Sequence, residues 1–149
     1  MDKIQTCNYC EKGENLDNLM SKIIELPYSI VYLFKNQQHH GRCIVAYKDH
    51  KTEYFQLNAE ENAGLFADVS LTAQALYNIF HPTKINYATY GDLVPHIHVH
   101  VVPKYEGGPN WGTPWEEEPK KFLSDSEYQD LIRQIKTEIE KLQQDGMGK

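Results

Sequence analysis

The 149-residue chain lacks any stretch approaching the roughly 20 consecutive apolar residues of a membrane-spanning helix. Met1 to Lys12 is polar, without the apolar core of a signal peptide, so the expected compartment is the cytoplasm and no membrane partner is expected. An excess of basic charge is also missing: 15 Lys and Arg stand against 21 Asp and Glu, a net charge of -6. That balance argues against general nucleic-acid binding, because phosphate backbones are attracted chiefly by basic surface. A small anionic ligand remains compatible, since it needs only a local positive site. Cysteine is scarce, with three in the chain. Internal repeats and a linker long enough to divide the chain are absent, so residues 1–149 are expected to form one domain. Hydrophobic residues at 40% and charged residues at 24% suit a globular chain able to bury a core of its own.

Two of the cysteines form the Cys7-x-x-Cys10 knuckle, whereas Cys43 stands in an apolar run and reads as buried filler. In a reducing compartment such a knuckle suggests metal or redox chemistry rather than a structural disulfide. A thioredoxin-like motif would follow a strand and open a helix. Here the knuckle precedes a polar Glu-Lys-Gly-Glu stretch, which favours metal, and a zinc site then needs two more ligands from elsewhere.

Between Pro95 and Pro103 the chain reads His96-Ile97-His98-Val99-His100-Val101-Val102. Side chains two apart on a strand share a face at about 7 Å, so this spacing predicts a row of three imidazoles with Ile97, Val99 and Val101 on the opposite side. Core filling explains such a row poorly, and three chemistries fit it. A histidine pair with a third ligand can clasp zinc and leave a position open for water. A neutral imidazole can attack phosphorus while its neighbours donate to the phosphate oxygens. The row can also line a groove that only holds a nucleotide.

Ser29 to Phe34 and Arg42 to Tyr47 read as strands, separated by a polar run in which His39 and His40 are expected to be solvated, with a cationic rim beside Arg42 as the alternative. Asn58 and Glu61 have the form of a helix start, and Leu65, Val69, Thr72, Leu76, Ile79 and Phe80 recur at helical spacing until His81-Pro82. Lys84 to Tyr90 should be a strand, joined to the histidine strand by a turn at Gly91-Asp92. Glu106 to Pro119 is rich in breakers around Trp111 and Trp115, an irregular loop that either is pinned to the body or closes over a ligand. A Ser124-x-x-Glu127 capping box starts a last helix with Tyr128, Leu131, Ile135 and Leu142 on one stripe, followed by a polar tail.

The order strand, strand, long helix, strand and then His-φ-His-φ-His-φ-φ-Pro resembles the histidine triad (HIT) superfamily of nucleotide-binding hydrolases and transferases, over roughly Cys7 to Tyr105. The resemblance implies an α+β domain, with a mainly antiparallel sheet of about five strands, a long helix and a C-terminal helix, assembled as a homodimer. It implies a purine nucleotide substrate cleaved at the α-phosphate, either a dinucleoside polyphosphate or a nucleoside phosphoramidate. His98 would be the nucleophile and form a nucleotidyl-histidine intermediate. His100 would stabilise phosphate oxygens beside it, and Asn86 on the adjacent strand is a candidate ligand contact. The chain is also similar to zinc-carrying bacterial members, which implies a structural zinc at Cys7, Cys10, His50 and His96. Four protein ligands would close that tetrahedron and place His96 beside the nucleophile rather than on an open metal.

Two departures stand out. Many members have Gly-His at the start of the second strand, where this chain has Gly41-Arg42, and the guanidinium there either binds phosphate or pairs with an acid. Where many members carry Gln and then Ser or Thr before the triad, this chain has Asp92 and Leu93. The groups that usually hold the leaving group are missing, and a carboxylate near phosphate would repel it unless protonated or turned away. A nucleotide-binding module with little turnover, and a metal-dependent hydrolase using all three histidines, are the alternatives.

Overall fold

The computed structural model describes residues 7–146. Readings made on residues 1–6 and on the last three residues of the tail lie outside the described residues. Two short helices, α1 (Asn8–Glu11) and α2 (Glu14–Leu19), lead into β1 (Met20–Glu25), β2 (Ser29–Phe34) and β3 (Cys43–Tyr47). A 3-10 turn at Tyr54–Gln56 precedes the long helix α3 (Ala59–Phe80), and β4 (Lys84–Ala88), β5 (His98–Lys104) and α4 (Asp125–Gln144) complete the chain. The five strands form one antiparallel sheet in the order β1-β2-β3-β5-β4, an α+β architecture.

The register gives the sheet two different faces. Val31, Leu33, Cys43, Val45, Val99 and Val101 point to one side, where Leu65, Val69 and Leu76 of α3 and Leu131, Ile135 and Ile139 of α4 complete the main core. Ile30, Tyr32, Ile44 and Ala46 point to the other, where Cys7, Tyr9, Leu16 and Met20 cover them in a smaller core. His98 pairs with Ala46 and His100 with Ile44, so both imidazoles stand on this second face. Cys43 is fully buried, as its apolar run predicts.

Both long helices begin where their capping residues predict. The Asn58 side chain accepts from the Glu61 backbone N–H at 2.8 Å while the Glu61 carboxylate accepts from the Asn58 backbone N–H at 2.9 Å. Ser124 and Glu127 do the same for α4. Replacing Asn58 with alanine removes one half of that reciprocal pair and should cost about 1 kcal/mol, seen as a melting temperature lower by about 3 °C in a thermal scan.

The histidine strand is shorter than its alternation predicts. The His96 backbone N–H turns back to the Val94 carbonyl at 2.9 Å, and the assigned strand begins at His98, although the Tyr47 N–H still donates to the Ile97 carbonyl at 3.0 Å. His96 therefore precedes the assigned strand, yet its ring still lies on the same side as His98, both against Tyr9, while Ile97, Val99 and Val101 enter the main core on the opposite side as the alternation predicts. Lys84 to Tyr90 likewise ends as a strand at Ala88, and residues 89–97 form a longer link than a tight turn. β3 starts one residue after Arg42, although the Arg42 carbonyl still accepts from Phe34 N–H at 3.1 Å. The solvated reading of His39 is also corrected: it is 4% exposed, with Nε2 at 3.0 Å from the Asn110 side-chain oxygen. His40 is exposed but lies edge-on to Phe80.

Candidate active site

Three histidines close in sequence acquire two tautomers, each set by a different neighbour. The Tyr47 carbonyl lies 2.7 Å from His96 Nε2. A carbonyl only accepts, so Nε2 carries the hydrogen and Nδ1 presents its lone pair. His98 has the opposite arrangement: its Nδ1–H donates to the His96 carbonyl at 2.6 Å, which leaves the Nε2 lone pair free. His100 Nδ1 lies 3.1 Å from Arg42 Nη2. A guanidinium only donates, so His100 Nδ1 accepts and the neutral ring carries its hydrogen on Nε2.

Burial keeps these rings neutral. It lowers the pKa of His96 and of His98 below the usual imidazole range. His100 is pushed down to about 3 by burial first, then by the adjacent Arg42 charge and by His98. His98 is packed between the Tyr9 ring, with centroids 5.1 Å apart, and the His100 ring at 5.3 Å. Tyr9 also lies 5.2 Å from His96, so the short helix between Cys7 and Lys12 forms one wall of the site.

His96 Nδ1 faces the knuckle. It lies 3.3 Å from Cys7 Sγ, 3.6 Å from Cys10 Sγ and 3.3 Å from His50 Nδ1, and Cys10 Sγ lies 3.4 Å from His50 Nδ1. Cys7, Cys10, His50 and His96 thus bring four ligand atoms within 4.8 Å of one another, the metal-type cluster found among the described residues. Tetrahedral zinc with bonds of about 2.3 Å to sulfur and about 2.0–2.1 Å to nitrogen sets S···N near about 3.5 Å and N···N near about 3.3 Å, so the donor set fits that ion. Burial and the neighbouring Cys7 push the Cys10 thiol up to about 11, and a cation between the two sulfurs would reverse that.

Arg42 is 2% exposed and pairs with an acid, Glu117, through Nη1 at 3.2 Å and Nη2 at 3.1 Å. Its guanidinium lies over the Phe34 ring at 4.2 Å and faces Trp115 at 5.2 Å. Gly41 beside it has φ +91°, and a side chain there would strike the Phe80 ring at 2.8 Å, so glycine is needed where the chain enters β3. Asn86 pairs with Val102 and therefore stands on the same sheet face as His98 and His100. With Tyr90, Lys104, Trp111 and Trp115 it lines a cleft of about 700 Å³ beside the histidines. Asp92 and Leu93 are turned out to solvent, Leu93 being 96% exposed, so the structure does not bring Asp92 to the imidazoles.

The loop Glu106–Pro119 is both pinned and in contact with the site. Lys104 Nζ donates to the Asn110 and Thr113 carbonyls, and the Asn36 side chain donates to the Glu117 carbonyl at 3.0 Å. Trp115 stands 5.6 Å from the His100 ring and 5.9 Å from Tyr90, whereas Trp111 is 41% exposed. Tyr9 and Glu117 are site residues that sequence patterns do not reveal. Tyr9 could have been suspected from its place inside the knuckle, while nothing local distinguishes Glu117 from Glu116 and Glu118.

The HIT domain family matches residues 15–107. Among curated proteins, the Hit protein of Bacillus subtilis is 26% identical over 116 residues, covering 74% of this chain and 79% of that protein. Among solved structures, a histidine triad protein from Bradyrhizobium japonicum superposes with a TM-score of 0.77 at 26% identity, covering 85% of this chain and 96% of that one. A zinc-bound histidine triad family protein from Mycobacterium smegmatis shares the fold with a TM-score of 0.67 at 22% identity, over 95% of this chain and 98% of that one. The match to the family extends over the whole sheet and the three alternating histidines His96, His98 and His100, and the chain belongs to the HIT family.

Proposed function

We propose that the protein is a nucleotide hydrolase or nucleotidyl transferase that cleaves at the α-phosphate of a dinucleoside polyphosphate or a nucleoside phosphoramidate through His98. The observation that carries this reading is the His98 Nδ1–H bond to the His96 carbonyl at 2.6 Å, which presents a neutral Nε2 lone pair on the open side of the ring. That lone pair attacks the α-phosphorus, and a P–O or P–N bond to the leaving group breaks with its electron pair departing on the leaving group, which takes up a proton. Water then attacks the nucleotidyl-histidine, the P–N bond to His98 breaks, and the electron pair returns to Nε2. His100 Nε2–H supplies charge stabilisation to a non-bridging oxygen, and Asn86 on the same face supplies a polar contact. The aromatic cleft beside Trp115 offers surface on which a purine can stack.

Cys7, Cys10, His50 and His96 would hold a structural zinc, which supplies a cross-link between α1 and the entry to β5. The direction of His96 Nδ1, into the knuckle and away from its two neighbours, favours this arrangement over a metal held by all three histidines. The exposed positions of Asp92 and Leu93 favour one second reading, a nucleotide-binding module slow at leaving-group departure. Homodimer assembly belongs to the same proposal and is checked by sedimentation.

The deciding experiment is turnover of diadenosine tetraphosphate and of adenosine phosphoramidate, side by side. Release of AMP from either substrate supports the hydrolase and selects the bond it cleaves. A folded protein that binds AMP and turns over neither substrate would instead be the binding module.

A further inference from the structure

Arg42 occupies the departure from the family pattern, and its surroundings indicate what it does. Its Nη1 and Nη2 engage the two Glu117 oxygens, Nη2 also donates to His100, and Nε is buried without a partner, so no edge of the guanidinium is open to solvent. Glu117 is held from behind, because Asn36 Nδ2 contacts both its carbonyl at 3.0 Å and its Oε2 at 3.4 Å. The Lys121 backbone N–H donates to the Asn36 side-chain oxygen at 3.0 Å, which closes the loop onto the β2–β3 connection. A phosphate could reach Arg42 only by displacing this carboxylate, whereas His100 already accepts its hydrogen bond.

We propose that Glu117, Arg42 and His100 form a positioning relay, in which the carboxylate orients the guanidinium and the guanidinium fixes His100 as the Nε2–H tautomer. Arg42 is then a positioning residue and not a phosphate ligand. An imidazole free to exchange tautomers would spend part of its time with a bare Nε2 facing the reacting phosphate, where lone pair meets anionic oxygen. The groups around His100 are His98 on its own strand, Arg42 at the entry to β3 with Glu117 behind it, Trp115 from the loop, Tyr90 from the link before β5, and Phe34 of β2. Of these, only Arg42 makes a hydrogen bond to the ring.

The step in which His100 donates to phosphate rests on the nucleotidyl-transfer reading, but the tautomer assignment does not. The test therefore has two arms, both on the full chain. In ¹⁵N-labelled protein without substrate, two-bond ring correlations should give His100 as Nε2–H in the wild type and as a tautomer mixture in Arg42→Met. With substrate, Arg42→Met should lower kcat about 100-fold with KM within about threefold, Arg42→Lys should restore part of the loss, and Glu117→Ala should lower kcat about tenfold, as for groups that orient a reacting side chain. An unchanged tautomer in Arg42→Met overturns the relay, and so does a rise in KM at constant kcat, which would make Arg42 a phosphate contact. If Arg42→Met fails to fold, Glu117→Ala at its half-exposed site carries the test, and no change in tautomer or kcat there overturns the relay. A wild-type protein inactive on both substrates removes the functional reading, while the resonance measurement still decides the relay.

Discussion

His98→Asn should abolish turnover while leaving the protein folded. The asparagine side-chain N–H can replace the imidazole Nδ1–H that meets the His96 carbonyl at 2.6 Å, so the local hydrogen bond survives. What it cannot supply is a second nitrogen with a lone pair on the opposite edge. Loss of a nucleophile in a covalent mechanism costs on the order of 10⁵-fold or more in kcat. The alanine variant should be equally inactive but less stable, because His98 is 6% exposed and packed between Tyr9 and His100, and truncation leaves a cavity there. The measurement is kcat on the preferred substrate together with AMP affinity and the melting temperature of both variants. A His98→Asn protein with more than a few per cent of wild-type kcat would mean that the imidazole does not attack phosphorus.

Removal of the zinc proposed at Cys7, Cys10, His50 and His96 should produce the second large effect, on stability rather than chemistry. The helix Asn8–Glu11 has a single turn and no side-chain cap, so it has little helical stability of its own. Its attachment comes from Tyr9, packed over Tyr32, His96 and His98, and from the Cys7 and Cys10 sulfurs beside His50 and His96. Zinc binding to such a ligand set is worth about 10–16 kcal/mol in small peptides that fold on it. Here the main core of the sheet and long helices stands independently, so only the part that fastens α1 is at stake. A strong chelator, or Cys10→Ser, should lower the melting temperature by about 10 °C, at about 2–4 °C per kcal/mol, and elemental analysis should give one zinc per chain before treatment and none after. Loss of activity on chelation with the melting temperature unmoved would point to an open metal site instead.

How much of this was legible in the sequence depended on whether a feature is local. β2, α3 and α4 follow from apolar periodicity and capping boxes, which are decided within a few residues. The pairing of His98 with Ala46 and His100 with Ile44 follows once the alternation is read as a strand. β1 escaped because Met20–Glu25 has a mixed burial pattern with a register shift between Lys22 and Ile24, so no clean period of two survives. The alternation placed His96 on the correct side, but the backbone turn to Val94 that ends the strand before it, and the Tyr47 carbonyl that sets its tautomer, are not visible in a period of two. His39 and Arg42 were ambiguous for a different reason: their partners, Asn110 and Glu117, come from a breaker-rich loop with no periodicity to say where it lies.

Cys7 and Cys10 on one side, and Trp115 and Glu117 on the other, lie beyond the ends of the family match at residues 15–107. The chain thus brings its two peripheral segments to opposite flanks of His98, the first against His96 and the second against His100. Each flank meets the sheet at its own place, the first over Tyr32 and the second at Arg42. Divergence among chains of this architecture can therefore proceed as in a tool with a fixed blade and two exchangeable grips, with the Cys and His cluster varied at one end and the Arg42 and Glu117 pair at the other.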